Sequence, residues 1–448
     1  MWASERHVSG QREQHRRAAR ELCADAPLLP RLPETTRSWQ KTQVAPEFNV
    51  PCVEPPPAIF IAPLKSVARG LDMSIVTANS SSSEHRKEIP ELMAGVLLVG
   101  HGGFECLQYR EDIPVPRPAP GEVLIRVTAA GINNTDINTR IGWYSKAVKS
   151  GTEAGGKEGF QIEDADASWS GVPMSFPRIP GADCCGRIVA VGAGVDPSRI
   201  GERVIVRNML RSYVDYRPME CWTFGSECDG AFAQYTKAPS RETYKVECDW
   251  SDVELASVPC AYSTAEGMLH RAGVKHGEHV VITGASGGVG SAAIQLAKRR
   301  GAILTAVAGA SKADEVRALG ADRVVPRGES LVGHLGREVA DVVIDVAAGP
   351  AFPELLDVLR KGGRYAVAGA IAGPIVELDV RTLYLKDLSF FGCTFQDDAV
   401  FENLVSYIER GEIRPVVGKT YPLKSIVEAQ QDFLSKRIGG KLVLVIPA

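Results

Sequence analysis

The sequence has no run of about 18 or more apolar residues, which a helix needs to cross a bilayer. Its start, MWASERHVSGQREQHRRAAREL, lacks the apolar stretch of a secretory signal. The formal net charge is only −3 and no long block of Lys or Arg occurs, so nothing predicts a nucleic-acid or membrane partner. We therefore expect a cytoplasmic protein that acts on a small molecule.

Cysteine is also sparse, with ten in 448 residues, which fits a reducing compartment and thiols used as small core residues. The adjacent Cys184 and Cys185 point to opposite faces if they lie on a strand, so a disulfide framework is not expected. Apolar residues, in contrast, make up 44% of the chain, enough for the cores of two domains.

Residues 1–92 combine an Arg-rich opening with Pro-rich text and the polar run NSSSSEHRKE, which predicts a mostly disordered extension. A mitochondrial presequence is an alternative, although Glu5, Glu13 and Glu21 stand among the arginines. A start codon assigned too early, with Met93 as the functional start, is another.

From residue 93 to 248 the pattern is that of many short strands, among them GVLLVGH, GEVLIRVTAAGI, RIVAVGA, ERVIV and AFAQYTKA. The segment DIPVPRPAPGE reads as a Pro-rich turn that cannot be a central strand. Close spacing and intervening glycines predict a β-rich domain with a closed or partly closed barrel.

Strands and helices alternate from 249 to 395, as in HVVITG, SAAIQLAKRRG, ILTAVAG, SKADEVRALG, DVVIDVA, PELLDVLRKGG and RYAVAGA. This alternation predicts an α/β fold with a doubly wound parallel sheet. The tail, 396–448, offers one amphipathic helix, VFENLVSYIERG, and a final strand, KLVLVIP. We expect the tail to pack back on the first domain.

Residues 280–302, VVITGASGGVGSAAIQLAKRRGA, join an apolar strand to a glycine-rich turn and a helix. Small residues there let the backbone approach a pyrophosphate, and the N–H groups of the helix start complement its charge. A turn with only a structural role is the alternative. The residues predicted to contact the cofactor are Gly284, Ala285, Ser286, Gly287, Gly288, Val289 and Gly290.

The second strand of this unit should end near Ala308, where an NAD enzyme usually offers an acid to the ribose hydroxyls. Instead, Ser311 is placed to cap the next helix, with Asp314 completing a capping-box-like pattern and Lys312 in the first turn. Together with Arg327 after the third strand, these residues favour the 2′-phosphate of NADP. Solvated surface charges and NAD remain the alternatives.

At this point the sequence resembles the medium-chain dehydrogenase/reductases, through AAGINNTDINTRIGWY, PRIPGADCCGRIVAVG, GERV, the A-x-G-x-x-G variant, RALGAD and GGKLVLVIP. It is most similar to the zinc-free quinone oxidoreductases and 2-enoyl reductases. The resemblance implies a GroES-like β domain, a Rossmann domain, a cleft between them for NADPH, and homodimers formed through an edge strand, here LSFFGCTF. We also assign Lys441, in the last motif, to the cofactor.

Zinc alcohol dehydrogenases of that family hold their metal at positions that read here Asn133, Ala182, Asp183 and Cys260. This set does not supply three good N or S ligands. The region of their structural zinc lobe offers only two cysteines, Cys221 and Cys228. We therefore expect no metal, although a zinc alcohol dehydrogenase with an altered ligand set remains an alternative.

Without a Lewis acid, the chemistry that remains is hydride transfer to an enone, an enoyl thioester or a quinone. The resemblance implies that Tyr144 donates a proton and that Asn133 lies beside the nicotinamide, and we add Asp136 as a third catalytic candidate. A buried aromatic role for Tyr144, local capping by Asn133 and Asp136, and a non-catalytic NADPH-binding protein stay open.

A long segment, 145–176, separates Tyr144 from PRIPGAD and is richer in Gly and acids than its counterpart in short quinone oxidoreductases. Loops of this length in a compact domain are usually functional or disordered. We expect this insertion to form a lid or a wall of the substrate pocket.

Overall fold

The computed structural model describes residues 89–162 and 167–448. The predicted disordered extension therefore lies almost wholly outside the described residues, and its last residue, Leu92, already begins the first strand. Described helices are all too short or too polar to span a membrane. All eight cysteines in these ranges are free thiols.

The strands, in chain order, are β1 (Leu92–Leu98), β2 (Leu107–Pro114), β3 (Glu122–Gly131), β4 (Cys185–Val191), β5 (Arg203–Val206), β6 (Met209–Leu210), β7 (Trp222–Thr223), β8 (Tyr235–Pro239), β9 (Thr243–Lys245), β10 (His279–Ile282), β11 (Ile303–Ala308), β12 (Arg323–Pro326), β13 (Ala340–Asp345), β14 (Leu359–Val367), β15 (Ser389–Gly392), β16 (Val417–Pro422) and β17 (Lys441–Val445).

The α-helices, also in chain order, are α1 (Asn134–Ile141), α2 (Thr152–Gly155), α3 (Asp252–Leu255), α4 (Pro259–Arg271), α5 (Gly288–Arg299), α6 (Ala313–Ala318), α7 (Leu331–Leu335), α8 (Phe352–Val358), α9 (Val380–Leu385), α10 (Asp398–Glu409) and α11 (Ile426–Ser435).

A seven-stranded sheet in the order β16-β17-β3-β4-β5-β9, with β8 also paired to β3, forms the GroES-like part. Strand β4 begins at Cys185, directly after Cys184. The two thiols enter different cores: Cys184 lies in the core of this part and Cys185 in the core that continues into the Rossmann part. The interpretation of DIPVPRPAPGE as a turn was partly wrong, because its first three residues end β2, which among the described strands pairs with β1 alone. A strand of a two-stranded ribbon tolerates proline.

The Rossmann part is a six-stranded parallel sheet in the order β12-β11-β10-β13-β14-β15. Successive side chains of β10 are buried in different hydrophobic cores, Val280 and Ile282 on one face of the sheet and Val281 on the other. Helices therefore cover both faces of the sheet. The predicted helix PELLDVLRKGG was too long: α8 ends at Val358 and the rest begins β14.

The tail returns to the first sheet, where β17 pairs antiparallel with β3 and parallel with β16. The expectation of a single helix in this tail was wrong, because α11 follows α10 and β16 lies between them. The short strand β16 is largely exposed and so lacks the apolar alternation that would reveal it in the sequence.

Candidate functional site

The glycine-rich turn lies at the carboxyl end of β10, between β10 and α5. Gly284 has φ +57, and a side chain at Gly290 would collide with the Gly284 backbone, so both positions require glycine. Ala285 and Gly290 are buried beneath the turn, and Val289 packs against the core. Of the seven predicted contacts, Gly284, Ser286 and Gly287 face the groove described next.

A groove of about 510 Å³ runs from this turn across to the segment after α11. The predicted Ser311, Lys312 and Arg327 all line it, together with two cations that the sequence reading did not single out, Lys436 and Arg437. Four cationic side chains along one groove make it suited to a phosphorylated ligand.

The cations of this groove crowd one another. Burial and the neighbouring Arg327 lower the pKa of Lys436, against the opposing effect of Glu153. Within the described ranges, no carboxylate pairs with Arg327 or Lys436, whereas Lys312 bonds Glu315 at 3.1 Å. An anion bound between Arg327 and Lys436 would relieve this repulsion.

The predicted capping role of Ser311 was wrong. Ser311 lies in a short 3-10 turn, helix α6 begins after Lys312 without a side-chain cap, and Asp314 pairs with Arg317 at 2.9 Å instead. The exposed Ser311 hydroxyl is thereby left on the wall of the groove.

Asn133 and Asp136 meet at the start of α1. The Asp136 carboxylate accepts from the backbone N–H of Asn133 at 2.7 Å and from that of Ala182 at 3.0 Å. Burial raises the pKa of Asp136 to about 7. Since both of its oxygens accept from backbone donors, the geometry agrees with the capping alternative for Asp136.

A second buried carboxylate, Asp183, lies beside this pair and is fully buried. Its oxygens accept from the backbone N–H of Cys260 at 2.6 Å, from the Asn133 side-chain amide at 2.8 Å and from the Lys441 ammonium at 2.9 Å. Lys441 also donates to the Asn133 carbonyl oxygen at 2.5 Å. The structure thus directs the ammonium of Lys441 to Asp183 and Asn133, while only its stem approaches Gly288.

Two of the four residues that the resemblance places at the metal positions of the zinc enzymes, Asn133 and Asp183, therefore bind a cation from the protein itself. Burial raises the pKa of the Cys260 thiol well above its usual range, so the thiol is protonated beside Asp183. In the part of the chain that the structure describes, no three His, Cys, Asp or Glu side chains converge as a metal site.

Tyr144 follows α1 and is half-buried. Its hydroxyl lies 2.9 Å from the Thr135 hydroxyl, and its ring makes edge contacts with Trp143 and Trp169, with centroids 5.7 and 4.8 Å away. Burial raises the pKa of Tyr144 well above its usual range. The phenol consequently remains protonated, as a hydrogen-bond donor requires.

The insertion is anchored by Arg140, a fully buried residue of α1. Its guanidinium donates to the carbonyl oxygen of Gly156 inside the insertion at 2.6 Å, to that of Gly102 at 2.8 Å and to the Gln430 side chain at 2.8 Å. Gly151 approaches the backbone of Ile371 so closely that no side chain fits there. The described parts of the insertion are therefore packed against the rest of the protein.

The insertion begins directly after Tyr144, and its residue Trp169 comes back into contact with the Tyr144 ring. These two aromatic rings line a cavity of about 610 Å³, together with Trp222 of β7 and Thr394 after β15. The insertion thus supplies one wall of a cavity beside Tyr144.

Comparison with known proteins agrees with this architecture. Two family models match the chain, one described as an alcohol dehydrogenase GroES-like domain over residues 119–248 and one as a zinc-binding dehydrogenase over residues 288–410. A quinone oxidoreductase from Lama guanicoe is 30% identical over 371 residues, covering 79% of this chain and 98% of that protein.

An acryloyl-coenzyme A reductase from Metallosphaera sedula is 29% identical over 367 residues and covers 79% of this chain and 99% of its own. Among solved structures, a protein from Sinorhizobium meliloti 1021 that is provisionally named an alcohol dehydrogenase shares 46% identity. Its TM-score is 0.71, over 81% of this chain and 98% of that one.

Proposed function

The chain belongs to the medium-chain dehydrogenase/reductase superfamily, in the branch of the quinone oxidoreductases and enoyl reductases, and from this premise we propose a function. The protein is an NADPH-dependent reductase of activated C=C bonds or quinones, and it needs no catalytic zinc. The observation that carries the proposal is the Lys441 ammonium bound to Asp183 and Asn133. A positive charge already occupies the positions from which zinc enzymes coordinate their metal, so a Zn²⁺ ion there would meet electrostatic repulsion.

The described residues fit a bound dinucleotide. Gly284 and Gly290 allow close approach of a pyrophosphate, and α5 begins at Gly288 with no side chain capping its N–H groups. When bound, the nicotinamide supplies a hydride. The protein's own contribution is to orient the acceptor next to it and to donate a hydrogen bond, and then a proton, from the Tyr144 hydroxyl to the reduced acceptor.

Selection of NADPH over NADH rests on Arg327 and Lys436, the crowded cations without carboxylate partners. A 2′-phosphate carries close to two negative charges and would bind both. The ribose hydroxyls of NADH would leave the two cations facing each other. Ala308, at the end of β11, offers no acid to those hydroxyls.

The direct test is an acceptor panel of quinones, enones and enoyl thioesters, run with NADPH and NADH in parallel on purified protein whose metal content has been measured. We expect NADPH oxidation with several acceptors, zinc well below one per chain, and rates unaffected by a chelator. Stoichiometric zinc with chelator-sensitive alcohol oxidation would instead support a zinc alcohol dehydrogenase. NADPH binding without turnover of any acceptor would support a non-catalytic protein.

Cofactor preference gives a second prediction. We expect Arg327→Glu to raise the KM for NADPH about 10- to 100-fold, because one charge-assisted phosphate contact is lost and replaced by repulsion. The KM for NADH should change less than threefold. Arg323→Glu is the matched control, since Arg323 is exposed and does not line the groove, and an equal effect of both variants would contradict the assignment.

We further propose that the protein forms homodimers through the edge of the Rossmann sheet. The stretch from 375 to 390 exposes large apolar side chains, among them Val380 and Leu385 at 60% and 63% and Phe390 on the edge strand β15. Contiguous exposed apolar surface of this kind marks interfaces. Sedimentation analysis should find a dimer that Leu385→Glu converts to a monomer, and a monomeric parent protein would refute the proposal.

A further inference from the structure

The cavity beside Tyr144 is lined by a group of apolar and aromatic side chains together with several polar ones. Besides the Tyr144 ring, its apolar lining consists of Trp169, Val172, Val214, Met219 and Trp222. Its volume of about 610 Å³ lies in the size range of small-molecule sites, and two of its apolar residues, Val172 and Met219, are 53% and 60% exposed. A three- or four-carbon acceptor would leave most of this volume empty.

The insertion builds one of these walls and is held in place there. The Trp169 ring lies edge-on to Tyr144, with centroids 4.8 Å apart. The next residue, Ser170, donates its backbone N–H to Glu227 at 2.8 Å, and Glu227 also accepts from the Thr223 backbone at 2.8 Å. The position of Trp169 is thus tied to β7, which carries Trp222 on the cavity wall.

Charge is scarce around this cavity. Its lining includes two charged side chains, Arg217 and Glu220, which pair with each other at 2.6 Å and are both more than half exposed. Phosphate groups bind where several free cations converge, as in the dinucleotide groove. An acceptor carrying a coenzyme A group would find no such partner here for its phosphates.

We infer that the acceptor reduced at this site is a quinone or an enone with a bulky apolar or aromatic body held between Trp169 and Trp222, and that Trp169 is a specificity-determining residue. This inference rests on the proposed function, since it names the substrate class of the same site. It favours free carbonyl acceptors over coenzyme A thioesters.

The test compares kcat/KM for 1,3-diphenylpropenone, but-3-en-2-one and crotonyl-coenzyme A. The parent protein should prefer the diphenyl enone over both others. Trp169→Ala should reduce that preference about 10- to 100-fold, as loss of a buried aromatic contact implies, with the KM for NADPH unchanged. Trp169→Phe should restore most of it.

Trp143→Ala is the matched control, because Trp143 also contacts Tyr144 but does not line the cavity; it should retain the parent preference. Binding of the saturated ketone 1,3-diphenylpropan-1-one, measured by calorimetry, supplies a readout that needs no turnover. Its affinity should fall in Trp169→Ala by a factor similar to the kinetic one.

The two proposals fail in different ways. If the parent protein turns over acceptors but prefers crotonyl-coenzyme A, or if Trp169→Ala leaves the preference unchanged, the specificity inference is overturned while the reductase function stands. If no acceptor is reduced, the proposed function fails. Binding of 1,3-diphenylpropan-1-one then tests the selectivity of the cavity by itself. Binding that depends on Trp169 supports the cavity's selectivity, and absence of binding overturns it.

Discussion

Lys441→Met is expected to destabilise the protein by about 3–5 kcal/mol, because removing one partner of a buried ion pair leaves the other charge without compensation. Asp183 is fully buried and Lys441 is 4% exposed. The remaining donors to Asp183, the Cys260 N–H and the Asn133 amide, are neutral and cannot balance its charge. Urea unfolding followed by circular dichroism measures the effect.

Two further variants decide how this result is interpreted. Lys419→Met removes an exposed ammonium of strand β16 that pairs with the Asp432 carboxylate of α11 at 2.8 Å. Such surface pairs contribute about 0–1 kcal/mol. The double variant Lys441→Met/Asp183→Asn removes both buried charges and should recover a large part of the lost stability. If Lys441→Met lowers the free energy of unfolding no more than Lys419→Met does, the buried Lys441–Asp183 pair is not the strong interaction that would keep a metal ion from binding there.

Local patterns predicted the Rossmann part well. An apolar strand, small residues and a helix start lie within about twenty consecutive residues, and the chain from Gly284 to Gly290 folds as that pattern indicates. The β11 end at Ala308 and the position of Arg327 after β12 followed from the same alternation. Short-range periodicity specifies these elements because neighbouring residues determine them.

The centre of the candidate site is a long-range product of the fold. Lys441 and Asp183 are 258 positions apart in sequence, and Arg140 and Gln430 are 290 apart. No local spacing signals such pairs, so the ion pair could not be predicted, although both residues stand in family motifs. Lys436 was not predicted either, because it follows α11, a helix that was missing from the predicted elements.

The insertion was located by its length, but the sequence could not tell whether it formed a lid or a wall. Arg140 has no carboxylate partner among the described residues and donates instead to carbonyl and amide oxygens. Its burial lowers the pKa of the guanidinium to about 10. A buried cation satisfied in this way fixes the backbone at Gly156, in the first half of the insertion, whereas the residues that line the cavity, Trp169, Ser170 and Val172, lie further along the chain.

Tyr144→Phe is expected to lower kcat for enones about 10²- to 10³-fold, the usual cost of losing one positioned donor to a developing oxyanion or one proton donor. The KM for NADPH should stay within twofold, since Tyr144 does not line the dinucleotide groove. The change should cost about 1 kcal/mol of stability, because a single hydroxyl bond to Thr135 is lost. Steady-state kinetics and urea unfolding measure both effects.

A control tyrosine, rather than the pH profile, separates catalysis by Tyr144 from a packing role. Because burial raises the pKa of Tyr144 well above its usual range, its phenol stays protonated across the assay range, and the parent kcat should show no loss of this donor at alkaline pH. Tyr109→Phe is the control, since it removes a hydroxyl bonded to Glu111 on the exposed strand β2, and it should leave turnover intact. Unaltered turnover in Tyr144→Phe would assign its ring to the wall of the cavity alone and leave proton delivery to water.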